Sequence, residues 1–251
     1  MAVVMRLKFL FKSILLFLIL NSPCLSNNNK NGENDKYFFE YSYGQGFAGF
    51  KNLDFLNPIG KSNTTNATNG DYIILNNLEK NSETQLTSLG VGKISDNTVY
   101  SLNYSTLGNL STKGYATFSG TAYNQVLNTD AKILSISGGL HQNFGKLFFE
   151  PKLELGLARI ATSGTQGREV SGTGSFPSNI DYNLVAGISL SLGYEIIEDI
   201  SLIADIGYVN LGVVKTGKVG GTSPSGMNTG EHLLSELSVS SVSLIFRHIF
   251  Y

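Results

Sequence analysis

His141, His232 and His248 are the three histidines of this 251-residue chain, and each has serines a few positions away. A serine nucleophile needs a base within hydrogen-bond reach, so a His–Ser–carboxylate hydrolase of lipids is one chemistry to weigh. Serine is abundant here, such neighbours arise by chance, and no motif surrounds any of the three. The expectation is therefore no catalytic residue. The glycine-rich runs 164–174 and 217–226 invite a phosphate-loop reading, but neither contains Gly-Lys-Ser or Gly-Lys-Thr and neither opens a helix. They read as external loops. No cluster of His, Cys, Asp and Glu has metal-ligand spacing, so neither a metal nor a cofactor is expected.

A second set of residues carries charge without chemistry. Glu40, Glu150, Lys152, Glu154, Asp181, Asp205 and Arg247, with His141 beside them, all fall on the polar side of segments in which apolar residues alternate with small or polar ones. On a closed barrel that side is either the lumen or the solvent face. In a lumen the charges either pair and plug the barrel or line a narrow pore.

The elements that must position them are strands, because the alternation has period two. The segments are residues 37–50, 86–94, 98–107, 131–144, 147–160, 180–194, 200–214 and 236–251. In the clearest of them Ile180, Tyr182, Leu184, Ala186, Ile188, Leu190, Leu192 and Tyr194 share one face. Tight turns are expected at Asp96-Asn97, at Gly145-Lys146 and within residues 195–199. Long polar connections are expected at residues 51–85, 108–130, 161–179 and 215–235. This gives an all-β fold, an eight-stranded antiparallel up-and-down transmembrane β-barrel. Periodicity alone does not say whether the apolar face points out to lipid or inward, as in a soluble barrel or sandwich. Strand length, the alternation of short and long connections, and Tyr or Phe at strand ends favour lipid.

The chain opens on Arg6, Lys8 and Lys12, then an apolar run at residues 13–20, then Ser22-Pro23-Cys24-Leu25-Ser26. This has the form of a cleaved export signal over residues 1–26. A polar spacer at 27–36 follows, and residues 37–251 form the barrel domain. Cys24 is the only cysteine, so disulfides and zinc–thiolate sites are not expected in the exported part. The 18 Lys and Arg against 19 Asp and Glu give a net charge of −1, and loss of the three leading basic residues makes it −4. There is no basic stripe, so no nucleic-acid partner is expected.

Three stretches resemble the OmpA-like and opacity-type small outer-membrane barrels. Residues 149–158 (Phe149-Glu150-Pro151 through Gly156-Leu157-Ala158) resemble one strand of that family. Leu192-Gly193-Tyr194 through Asp199-Ile200-Ser201-Leu202 to Gly207-Tyr208 resembles its late hairpin. Phe246-Arg247-His248-Ile249-Phe250 resembles its closing strand, with His248 where an aromatic is usual and Tyr251 added beyond the terminal Phe. The resemblance implies a Gram-negative outer membrane and a C-terminal assembly signal at Phe250 and Tyr251. The implied partners are outer-membrane lipid, lipopolysaccharide, the β-barrel assembly machinery and host-cell surface molecules. The expected function is a non-enzymatic surface protein, structural or adhesin-like, with long external loops. A small porin is the alternative and a lipid-modifying enzyme a remote one.

Overall fold

The computed structural model describes residues 35–56, 81–118, 121–168, 172–219 and 232–250. The expected export signal, nearly all of the spacer and Tyr251 lie outside them. The strands are β1 (Lys36–Leu56), β2 (Asn81–Ser95), β3 (Thr98–Phe118), β4 (Thr121–Leu140), β5 (Gln142–Phe144), β6 (Leu147–Arg168), β7 (Gly172–Ile197), β8 (Ile200–Lys215) and β9 (His232–Phe250). Every pairing is antiparallel. The order runs β4-β3-β2-β1-β9-β8-β7-β6-β5, and β4 also pairs with β6. β4 and β5 are one strand interrupted at His141, because Gly139 pairs with Lys152 and Gln142 with Phe149 in continuous register. His141 N–H there donates to the Asn97 carbonyl, at 2.7 Å. The described residues thus close into a ring of eight strands.

The tight turns fall at Asp96-Asn97, Gly145-Lys146 and Glu198-Asp199, all at one end of the barrel, together with Lys36 and Phe250. Asp96 (φ 52°) and Gly145 (φ 72°) take the left-handed backbone that two-residue hairpins require. At the same end Lys93 Nζ meets Asp35 Oδ2 at 2.7 Å, and Tyr37 stacks on Phe250 with ring centroids 6.2 Å apart.

Two of the four long connections are largely strand, which corrects the sequence expectation for them; in the other two, residues 57–80 and 220–231 lie outside the described residues. β3 and β4 continue through the stretch expected as a loop at 108–130, leaving only residues 119 and 120 outside them. β6 and β7 take up most of 161–179, including most of the glycine-rich run 164–174. At about 3.3 Å per residue, a strand of 22 residues such as β6 is roughly 70 Å long. A tilt of about 40° still leaves it near 55 Å tall, about twice the 25 Å apolar band of such barrels.

The reason lies in a reversal of polarity along the axis. Near the short turns the apolar residues point out: Leu134, Ile136 and Leu140 on β4, Leu184, Ile188 and Leu192 on β7, and Val242, Leu244 and Phe246 on β9 are all exposed. The outward band on β4 and β5, Leu134 to Phe144, is 11 residues long, enough to cross a bilayer. Toward the long connections the same strands turn their apolar residues inward. Phe50, Leu110, Leu127, Ile160, Phe176, Leu211, Val214, Leu233 and Leu237 are each 2% exposed or less and form one cluster. Lys113, Asn124 and Asp130 face out. Apolar side chains thus point outward along one half of the strands and inward along the other.

The inward-packed half is not a continuous cylinder. β2 pairs with β3 only as far as Leu86–Leu107, and β7 with β8 only as far as Ala186–Asn210. Each seam starts beside a bulge, between Leu107 and Leu110 on β3 and between Asn210 and Gly212 on β8. A bulge bends and twists its strand, and Gly212 (φ 77°) supplies the left-handed backbone for the second one. Beyond the seams the sheet is two four-stranded leaves, β3-β4-β6-β7 and β8-β9-β1-β2, enclosing the apolar cluster. Polar groups stitch the edges. Asn183 Nδ2 donates to the Leu211 and Val213 carbonyls at 2.8 and 2.9 Å. Gly217 N–H donates to the Pro177 carbonyl at 2.7 Å. On the other seam Ser111 N–H donates to Ser82 Oγ at 2.9 Å.

Candidate functional site: the charged lumen

Glu40 and Arg247 are direct register partners on β1 and β9. Their inward parity follows from the outward neighbours Phe39, Tyr41 and Phe246. Arg247 is fully buried and crosses the lumen: Nη1 and Nη2 donate to Glu150 Oε1 and Oε2 on β6 at 2.6 and 2.7 Å. Nε donates to Glu40 Oε1 at 2.6 Å. This is the two-pronged guanidinium–carboxylate geometry, which fixes orientation as well as charge. His141 Nδ1 lies 2.7 Å from Glu150 Oε1, and Lys152 Nζ 3.6 Å from Glu150 Oε2.

Aromatic rings close the cluster. The guanidinium carbon of Arg247 sits 4.5 Å from the Phe38 ring centroid and 5.3 Å from that of Phe148. Both contacts are within cation–π range. Phe38 lies over Gly92 and Phe148 over Gly193, so a Cβ at either glycine would overlap the ring. Phe38 also packs with Ile94, Val99 and Ile249, and Phe148 with Ile203 and Ile245. The short-turn end of the lumen is therefore filled.

Above the cluster is a cavity of about 120 Å³ lined by serines, among them Ser42, Ser101, Ser137, Ser189 and Ser243. Glu154 and Asp205 face it; Ser135 Oγ donates to Glu154, and Ser191 Oγ to Asp205 at 2.5 Å. A cavity of this size and polarity has room for ordered water. Above it the apolar cluster between the leaves begins.

Of the residues singled out in the sequence, Glu40, Glu150, Lys152 and Arg247 come together. Glu154 and Asp205 sit one layer further along on serine partners. Asp181 stands apart: it lies at the β7–β8 seam, 3.7 Å from Lys215, with its second carboxylate oxygen buried and without a partner. The ring of Phe250 lies on the outer surface. The histidines are dispersed, His141 in the cluster, His248 on the outer face near the short turns, and His232 at the far end of β9. Sequence reasoning missed Phe38 and Phe148, which share the inward parity of Glu40 and Glu150. Their signal was a glycine, Gly92 or Gly193, at the directly paired position.

No family model matches the chain and no curated protein matches it. Solved structures similar to it include three small outer-membrane barrels. Neisserial surface protein A is 11% identical over 87% of this chain and 100% of its own, with a TM-score of 0.40. OprG of Pseudomonas aeruginosa, an outer membrane protein, is 10% identical over 84% and 95%, with a TM-score of 0.46. Ail of Yersinia pestis, the attachment invasion locus protein, is 11% identical over 85% and 98%, with a TM-score of 0.36. At these identities the likeness concerns strand arrangement alone.

Proposed function

We propose that this chain is a non-conducting, non-enzymatic surface protein of a Gram-negative outer membrane, close in kind to the OmpA-like and opacity-type barrels. The short-turn end faces the periplasm, and the two leaves stand outside the cell. The observation that carries this reading is the double closure of the lumen. Arg247 with its carboxylates and rings fills one end, and the apolar cluster between the leaves fills the other. An ion would have to shed its hydration to pass the apolar layer, which costs far more than thermal energy.

What such a molecule offers is its rim. The strands of the leaves run well beyond the apolar band, and loops held on a rigid scaffold are where such proteins meet other molecules. Host-cell surface molecules are the partners this display suits. Phe250 and Tyr251 act earlier, as the strand end that the assembly machinery reads.

The test is single-channel recording of the full chain, folded in detergent and inserted into a planar bilayer. A heat-dependent gel shift confirms folding first. The proposal expects silence from folded protein. A reproducible, long-lived conductance would replace it with the porin reading.

A further inference from the structure

Among the described residues, the outer surface holds one place where two cations are direct register partners. Lys132 on β4 and Arg159 on β6 are direct register partners, both exposed. Directly opposed side chains on one face have Cβ atoms about 5 Å apart, and like charges there repel. Neither makes an ion pair among the described residues. Asp130, two positions further out on β4, is exposed and pairs with neither, while Asp181 points to the other side and meets Lys215. The contrast is Lys51 on β1, whose register partner is Glu236.

Their height on the barrel is specific. Each is the first charge beyond the apolar band on its strand: Leu134 (52% exposed) lies just below Lys132, and Leu157 (54%) just below Arg159. The row they belong to runs Thr106, Lys132, Arg159, Tyr182, and the next row toward the turns runs Tyr104, Leu134, Leu157, Leu184. Tyr182 is 72% exposed and Leu184 84%, so an apolar bank with phenolic edges flanks the cation pair. Tyrosines of this kind sit at headgroup depth, with the ring among acyl chains and the hydroxyl in the polar layer.

We propose that Lys132 and Arg159 together bind the phosphate of an anionic outer-leaflet lipid, whose acyl chain lies along Leu134, Leu157 and Leu184. The phosphate supplies the missing counter-charge, and the planar guanidinium of Arg159 takes two of its oxygens. Lys132 contributes a point charge from the neighbouring strand. This rests on the proposed membrane insertion with the short turns in the periplasm, and on no claim about conductance or host partners.

The test is native mass spectrometry of the full chain in uncharged micelles, titrated with phosphatidylglycerol and, separately, phosphatidylcholine. The folded protein is expected to hold one phosphatidylglycerol at least about tenfold more tightly than phosphatidylcholine. Lys132→Gln with Arg159→Gln removes that preference, and Lys51→Gln leaves it intact. Equal retention of the two lipids, or a preference that survives the double substitution, overturns the proposal. So does displacement of the lipid by millimolar inorganic phosphate, which would assign the pair to the free ion. The heat-dependent gel shift of the same samples reports on the barrel separately. If the double variant fails to shift, the two lipids on the unaltered chain still decide the matter.

Discussion

Arg247 carries three carboxylate hydrogen bonds and two aromatic contacts with no exposure to solvent. Removing one partner of such a set is worse than removing all of it, because the remaining charges stay buried and unpaired. Arg247→Leu is expected to lower unfolding free energy in micelles by about 3–5 kcal/mol, read from a urea titration of the heat-dependent gel shift. Glu150→Gln keeps the volume and one acceptor, so it is expected to cost less. An equal or smaller effect of Arg247→Leu would mean that the cluster is hydrated. The members of the cluster were legible in the sequence, since parity places Glu40, Glu150, Lys152 and Arg247 on the polar face. Which of them touch was not, because cross-lumen contacts depend on the stagger of the closed ring. That is why Asp181, with the same parity, sits elsewhere.

At the scale of strands, β4 shows how much periodicity reveals and where it misleads. Residues 131–144 alternate with large apolar residues outward and were legible as a strand. Residues 124–130 continue the strand with Gln125, Leu127 and Thr129 buried, but here the outward side, Asn124, Val126, Asn128 and Asp130, is largely polar. Sought as an apolar outward face, the pattern fades above Ala131, and the stretch reads as a loop. The strand has not ended; its solvent has changed from lipid to water. Two substitutions on β4 separate these environments. Ile136→Lys puts a charge in the apolar band and is expected to cost about 2–4 kcal/mol, whereas Asn124→Lys, outward beyond it, stays within about 0.5 kcal/mol. Both are measured by the same urea titration, and equal costs would contradict the assigned band. At the β7–β8 seam Asn183 replaces a missing backbone ladder. Asn183→Leu leaves the Leu211 and Val213 carbonyls without that donor, and hydrogen exchange along β8 is expected to quicken beyond Asn210 while the rest of the barrel is unchanged. No change would mean that the leaves are held by their apolar contacts alone.

For the molecule as a whole, the central claim is that one set of strands is a membrane barrel at one end and a pair of water-facing leaves around an apolar core at the other. Each half obeys the same rule, that apolar side chains leave water. In the bilayer they leave by facing lipid, and above it by facing one another. Bulges at residues 108–109 and at Gly212 mark where the cylinder opens into leaves. The most direct measurement is an accessibility scan along β4. Single cysteines would carry a spin label in a chain with Cys24 replaced by serine, and collisions with oxygen and with a water-soluble nickel chelate would be compared. Labels at 134 and 136 are expected to meet oxygen and not nickel, labels at 124 and 128 to meet nickel, and labels at 127 and 131 to meet neither. If 124 and 128 behave as lipid-facing, or 127 is open to nickel, the polarity does not reverse and the lumen is an aqueous one.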